Sequence, residues 1–140
     1  MITQGQTYSF RQELYEGIHD LLVDELRMAL YTGSANLTLS TTGYTTTNEV
    51  TGTGYSAGGE ICDNVTVGLD TTNGIVYVSF DNVQWTNASF TCRGALIYNV
   101  TKGNKSVAVL NFGSDKTVVN QTFTVTLPAN TSSSAVIRSV

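Results

Sequence analysis

W-T-N-A-S-F-T-C-R-G-A-L-I-Y-N, residues 85–99, is the stretch that decides the fold. It is the longest run rich in β-branched and aromatic residues, and apolar side chains occupy both of its alternating faces. Strict alternation puts Phe90, Cys92, Leu96 and Tyr98 on one face and Ala95 and Ile97 on the other. A strand apolar on both faces belongs in the middle of a sheet, because edge and half-exposed strands alternate with polar residues. Arg93 is the exception inside the run. A charge there calls for a buried carboxylate or for a contact with another subunit.

Downstream, residues 99–105 read as a polar hairpin loop, and residues 106–112 return as an apolar strand with Ala108, Leu110 and Phe112 set against Val107 and Val109. Residues 121–128 alternate most cleanly, with Phe123, Val125 and Leu127 inward and Thr122, Thr124 and Thr126 outward. Pro128 ends that strand because it has no amide hydrogen to donate. A last short strand spans residues 135–140. Upstream, residues 65–69 and 75–80 are strands joined by the turn D-T-T-N-G at 70–74. The glycines at 52, 54, 58 and 59 read as turns and bulges, since no apolar strand precedes them and no helix pattern follows. Residues 33–47 form a loop with little hydrophobic anchoring. Residues 25–32 form a strand with one buried face, Leu26, Met28 and Leu30 opposing Arg27 and Tyr31.

Ser9 followed by Gln12 fits a capping box opening one short helix at 10–16, packed through Phe10 and Leu14. A helix running on to Asp24 is the alternative, interrupted by Gly17. About eight short strands at intervals of about ten residues indicate an all-β, single-domain β-sandwich of jelly-roll or immunoglobulin-like kind with one short N-terminal helix. Residues 1–9 are expected to be a flexible arm and residues 10–140 the sandwich.

The chemistry of the side chains points away from catalysis. Charged residues make up only 13% of the chain, net −4, so the surface is mostly Thr, Ser, Asn and Gly and tolerates close packing beside copies of itself. The basic residues, Arg11, Arg27, Arg93, Lys102, Lys105, Lys116 and Arg138, form no stripe that would track a nucleic-acid backbone. No apolar run approaches the roughly 20 residues of a membrane span. The polar N-terminus lacks signal-peptide features, which suggests an unexported or mature chain. Cys62 and Cys92 lack metal-ligand spacing and read as small buried hydrophobes. His19 reads as a surface or helix-end residue without a nucleophile context, so no enzyme, cofactor or metal is expected. Asp63, Asp70 and Asp81 fit Asx-turns better than calcium ligation. Asn-x-Ser/Thr recurs at Asn36, Asn64, Asn87, Asn99, Asn104, Asn120 and Asn130, which the Thr-rich composition explains better than glycosylation. Tyr44, Tyr55 and Trp85, in or beside Gly/Thr-rich loops, are candidate exposed contact rings for a protein or a sugar.

Five segments in order, F-R-Q-E-L-Y-E-G-I-H-D (10–20), D-E-L-R-M-A-L-Y-T (24–32), Y-T-T-T-N-E-V-T-G-T-G-Y-S-A-G-G (44–59), F-T-C-R-G-A-L-I-Y-N (90–99) and V-A-V-L-N-F-G (107–113), resemble small virion structural proteins of tailed bacteriophages. Cys62 and Cys92 depart from that pattern. The resemblance implies assembly: a capsid decoration (cement) subunit bound to the major capsid protein and to copies of itself as a homodimer or homotrimer, or else a neck or tail component. It implies synthesis in the host cytoplasm and residence in the virion, more on the capsid surface than in the tail. A carbohydrate-binding module is the reading from another class. Thr3, Gln4 and Gln6 of the arm, with Tyr44, Tyr55, Trp85 and Arg93, are the candidate contact residues; the arm and the 33–47 loop enter because both look weakly anchored.

Overall fold

A computed structural model describes residues 1–139. In chain order the elements are β1 (Gly5–Gln6), α1 (Tyr8–Tyr15), β2 (Leu26–Tyr31), β3 (Glu60–Ile61), β4 (Thr66–Asp70), β5 (Ile75–Ser79), β6 (Val83–Asn99), β7 (Lys105–Val125) and β8 (Ile137–Ser139). They build an all-β, single-domain sandwich from a sheet ordered β1-β7-β6-β2-β3 and a smaller sheet ordered β4-β5-β8. β6 lies between β7 and β2, so the two-faced apolar run is central, and its pairing with both neighbours is antiparallel.

Its faces, however, do not follow simple alternation. The β6–β7 register shifts between Trp85 and Ala88, between Ala88 and Phe90, and between Cys92 and Gly94. At the first two shifts asparagine adopts the left-handed conformation, Asn87 at φ 48° and Asn120 at φ 49°. At the third, residues 112–115 of β7 lie opposite Arg93 alone, with Gly113 at φ 83°. The face of β6 changes at the bulge at Asn87 and again at the irregularity at Arg93, so Trp85, Ala88, Phe90, Cys92, Ala95 and Ile97 all reach the inter-sheet core. Leu96 and Tyr98 face the opposite side. The expected grouping of Phe90 and Cys92 with Leu96 and Tyr98 is therefore corrected.

The same left-handed positions explain the asparagines. Asn64, Asn87, Asn104 and Asn120 all have positive φ, a conformation Asn tolerates better than other non-glycine residues. Asn99 is fully buried and serves as a hydrogen-bond hub.

β2 is buried on both faces. Leu26, Met28 and Leu30 enter the main core, while Ala29 and Tyr31 enter a second core on the back of the large sheet. The expectation of one buried face fails because residues 33–47 are anchored after all. Ala35 and Leu37 are each 1% exposed and cover the back face together with Tyr44 and Ile2. The 52–59 segment then folds over the other end of β6. Thr53 bridges to Ser89, and at Gly59 (φ 78°) a Cβ would stand 1.8 Å from the Met28 carbonyl oxygen, so only glycine fits.

The helix starts earlier than its capping-box reading. Thr7 is fully buried, its hydroxyl lies 2.9 Å from Ser106 Oγ, and it accepts from the Phe10 amide as the N-cap. The helix ends in a Schellman arrangement at Gly17 (φ 73°), with the Gly17 amide donating to Leu14 and the Ile18 amide to Glu13, so no helix runs on to Asp24. Phe10 packs as expected, but Leu14 is exposed. Residues 1–9 are not a free arm in this structure. The terminal amine donates to Ala35, Ile2 bridges to Leu37, and Gly5 and Gln6 pair with Val109 and Ala108 of β7.

Strand β8 begins at Ile137, and Val140 lies outside the described residues. Both cysteines are free, buried thiols of the main core, and burial pushes Cys92 up to about 12 and Cys62 higher still. Among the described residues no helix is long and apolar enough to cross a membrane.

Candidate functional site

The loop over the back of the large sheet closes around one carboxylate. Val50 donates to the Leu30 carbonyl and Glu49 bridges to Tyr31, which turns the Glu49 side chain inward. Glu49 is buried and accepts from Tyr44 Oη at 2.6 Å, from Tyr55 Oη, and from the Gly58 amide at 2.8 Å. Tyr55 Oη in turn accepts from the Leu30 amide at 2.9 Å. The Tyr44 ring stacks on Tyr98 at 4.7 Å, and Tyr98 Oη donates to the Gly58 carbonyl at 2.6 Å. Burial, reinforced by the hydrogen bond to Glu49, pushes both the Tyr44 and Tyr55 phenols above their ordinary range. They are held as donors. Tyr44 and Tyr55 thus fasten the loop to the sheet, and their hydroxyls face inward instead of outward to a partner.

Trp85 is also not a surface ring. It is 1% exposed, packed between Tyr55 at 6.3 Å and Phe123 at 6.0 Å, and its Nε1 has no hydrogen-bond partner among the described residues. Arg93 is at the surface, displaced outward by the bulge opposite 112–115. Its guanidinium lies 3.6 Å from Asp115, both side chains exposed, so it meets neither a buried carboxylate nor the core.

His19 contradicts its surface reading. Its side chain is fully buried beneath Phe10, with ring centroids 4.9 Å apart. The Asn99 amide decides its proton. Asn99 Oδ1 accepts from the Lys102 amide, so Asn99 Nδ2 faces both Asp24 Oδ2 at 2.8 Å and His19 Nδ1 at 3.0 Å. Nδ1 is then an acceptor, and Nε2–H donates to Glu13 at 3.0 Å. With both nitrogens engaged, this imidazole ties the helix end to the β6–β7 turn. The arrangement is a staple.

Thr3, Gln4 and Gln6 lie on the N-terminal segment, whose β1 pairs with the edge of β7 opposite β6. Thr3 donates its amide to Leu37, Gln4 Oε1 accepts from the Asn111 amide, and Gln6 Nε2 donates to the Arg138 carbonyl at 2.8 Å. Gln4 and Gln6 thereby form one lip of a groove of about 620 Å³ between β7 and β8. Its floor is the inner face of β7, including Leu110, Phe112, Phe123 and Val125; its far wall is Val136 and Arg138. Lys116 and Arg138 both line it, and among the described residues neither has a carboxylate within ion-pair distance. Among the described residues, this groove brings together apolar side chains, charge without a carboxylate partner and the unpaired edge of β8. That volume falls within the roughly 300–1,000 Å³ typical of binding sites.

Of the seven candidate contact residues, the groove gathers Gln4 and Gln6 only. Glu49, Lys116 and Arg138 were not singled out in the sequence. Glu49 sits among turn residues with no periodicity to mark it as buried. The inward alternation of Phe123 and Val125 was the legible part of the groove. No family model, curated protein or solved structure matches the chain.

Proposed function

We propose that this chain is a non-enzymatic structural protein of a tailed-phage virion, a capsid decoration subunit that binds neighbouring major capsid proteins and copies of itself. The observation that carries this reading is the division of labour among its polar groups. The hydroxyls, the imidazole and the buried carboxylate are engaged inside the subunit, whereas the strand edges and the apolar, cationic groove beside them face outward. Such a surface suits contact with a protein strand. The ordered sequence resemblance and the sparse surface charge support the same reading. A carbohydrate-binding role loses its basis, because Trp85 is covered and Tyr55 is bonded to Glu49.

Copy counting in purified virions of the encoding phage tests the proposal. Hundreds of copies per particle, with capsids that withstand less heat when the chain is deleted, are the expected result. A few copies in a ring of six or twelve would move the protein to the neck or tail. Absence from the particle overturns the reading.

A further inference from the structure

The small sheet is too narrow to cover the large one. It stops at β8, and beside β8 the inner face of β7 lies open as the groove. At its opposite margin the same sheet ends in β4, which pairs with β5 alone. We propose that the groove receives the β4 edge of a second copy of this chain, so that the small sheet continues from one subunit into the next.

Two complementarities carry this. The first is apolar. Val67 and Leu69 share a face with Val76 and Val78, and Val78 belongs to the main core. Beyond Val78 that face runs out of cover: Val67 is 45% exposed and Leu69 67%. A β4 strand lying beside β8 of the next subunit brings this face down on Leu110, Phe112 and Phe123, where a further strand of the sheet would stand. The second is electrostatic. In a chain of net charge −4 the groove holds two cations with no carboxylate partner among the described residues, while Asp63 precedes β4 and Asp70 is its last residue. Steering of one toward the other follows from opposite charge. β8 is an end strand of its sheet, and its Arg138 carbonyl already takes a donor from Gln6 at the lip of the groove, so this strand offers hydrogen-bonding groups toward the groove. Because groove and edge are different surfaces, the contact is head-to-tail, the kind that closes into a ring or runs on as a chain.

The inference deepens the self-association in the virion reading, and its test separates the two. Sedimentation velocity over the micromolar range would compare the wild type with Leu69→Asp and with the double variant Lys116→Glu, Arg138→Glu. All three positions are exposed, and circular dichroism verifies folding; Val67→Lys replaces Leu69→Asp if that variant fails to fold. The wild type is expected to associate and each variant alone to be monomeric. An equal mixture of the two variants should give a dimer and nothing larger, since one keeps an intact groove and the other an intact edge. A monomeric wild type, variants that associate like it, or a mixture that stays monomeric overturns the proposal. Any of these results leaves the copy number in virions, and hence the functional reading, to stand or fall by itself.

Discussion

The two faces of the large sheet are finished differently. Its back is sealed by the chain itself: Ile2, Ala35, Leu37 and Tyr44 pack over Ala29, Tyr31, Leu96 and Tyr98, and the carboxylate of Glu49 fastens Tyr44. Its inner face is sealed only where β4, β5 and β8 reach, and along β7 a groove remains. The segment over the back is rich in Thr, whereas the strands over the inner face are richer in Val, Leu and Ile. The back has a buried polar anchor, and the inner side has charge without a carboxylate partner among the described residues. A covering loop with few apolar residues holds when its hydrogen bonds close on a single buried acceptor.

Removing that acceptor should have the largest effect. Glu49→Ala leaves two phenols and the Gly58 amide without their partner, and urea denaturation should register a loss of about 4 kcal/mol. A loss below about 1 kcal/mol would mean that the loop is held by packing and not by Glu49. Truncating an apolar residue on each face comes next. Leu37→Ala, on the sealed back, should cost about 3 kcal/mol, whereas Leu110→Ala, half-buried at the groove, should cost about 1 kcal/mol. Equal costs would erase the distinction between sealed and open faces.

The small sheet has its own, smaller tether. Ser132 Oγ and the side chain and amide of Asn73 hold the Asp70 carboxyl down at about 2, which binds the β4–β5 turn to the segment leading into β8. A carboxyl depressed in the folded state contributes stability above its unfolded value, about 3.9, and loses it as pH falls through the folded value. An NMR titration should place the Asp70 midpoint near 2, and Ser132→Ala should raise it; an unchanged midpoint would remove Ser132 as the cause. Smallest of all, Arg93→Ala should change stability by less than about 0.5 kcal/mol, because its pair with Asp115 is long and exposed.

The centre of the fold was legible in the sequence because a run apolar on both faces has few places to go. Its face assignment was not, since alternation is a count of residues and each bulge adds to one strand without changing the other. Asn87 and the Gly113 excursion are the local causes, and a polar, turn-prone residue inside an apolar run is the only trace they leave. Trp85 and Tyr55 were read as exposed because their sequence neighbours are polar. Trp85 is buried and Tyr55 partly so because the bridge between Thr53 and Ser89, a contact between distant parts of the chain, brings Tyr55 over Trp85. Ala35 and Leu37 were too few to look like anchors, yet each is almost wholly covered. The groove is a mismatch in width between two sheets, and no single segment encodes it.

The β6–β7 hairpin also has a kinetic consequence. Its strands are joined by the short connection at 100–104, so its first pairs, Asn99 with Lys105 and Tyr98 with Ser106, close a small loop. β2 finds β6 only across the span from Tyr31 to Gly94 and must overcome a larger closure entropy. The hairpin is therefore expected to form first and to present β2 with a ready edge. Pulse-labelled hydrogen exchange during refolding should protect β6 and β7 amides before those of β2, and the reverse order would show that the chain is assembled from the covering loop inward.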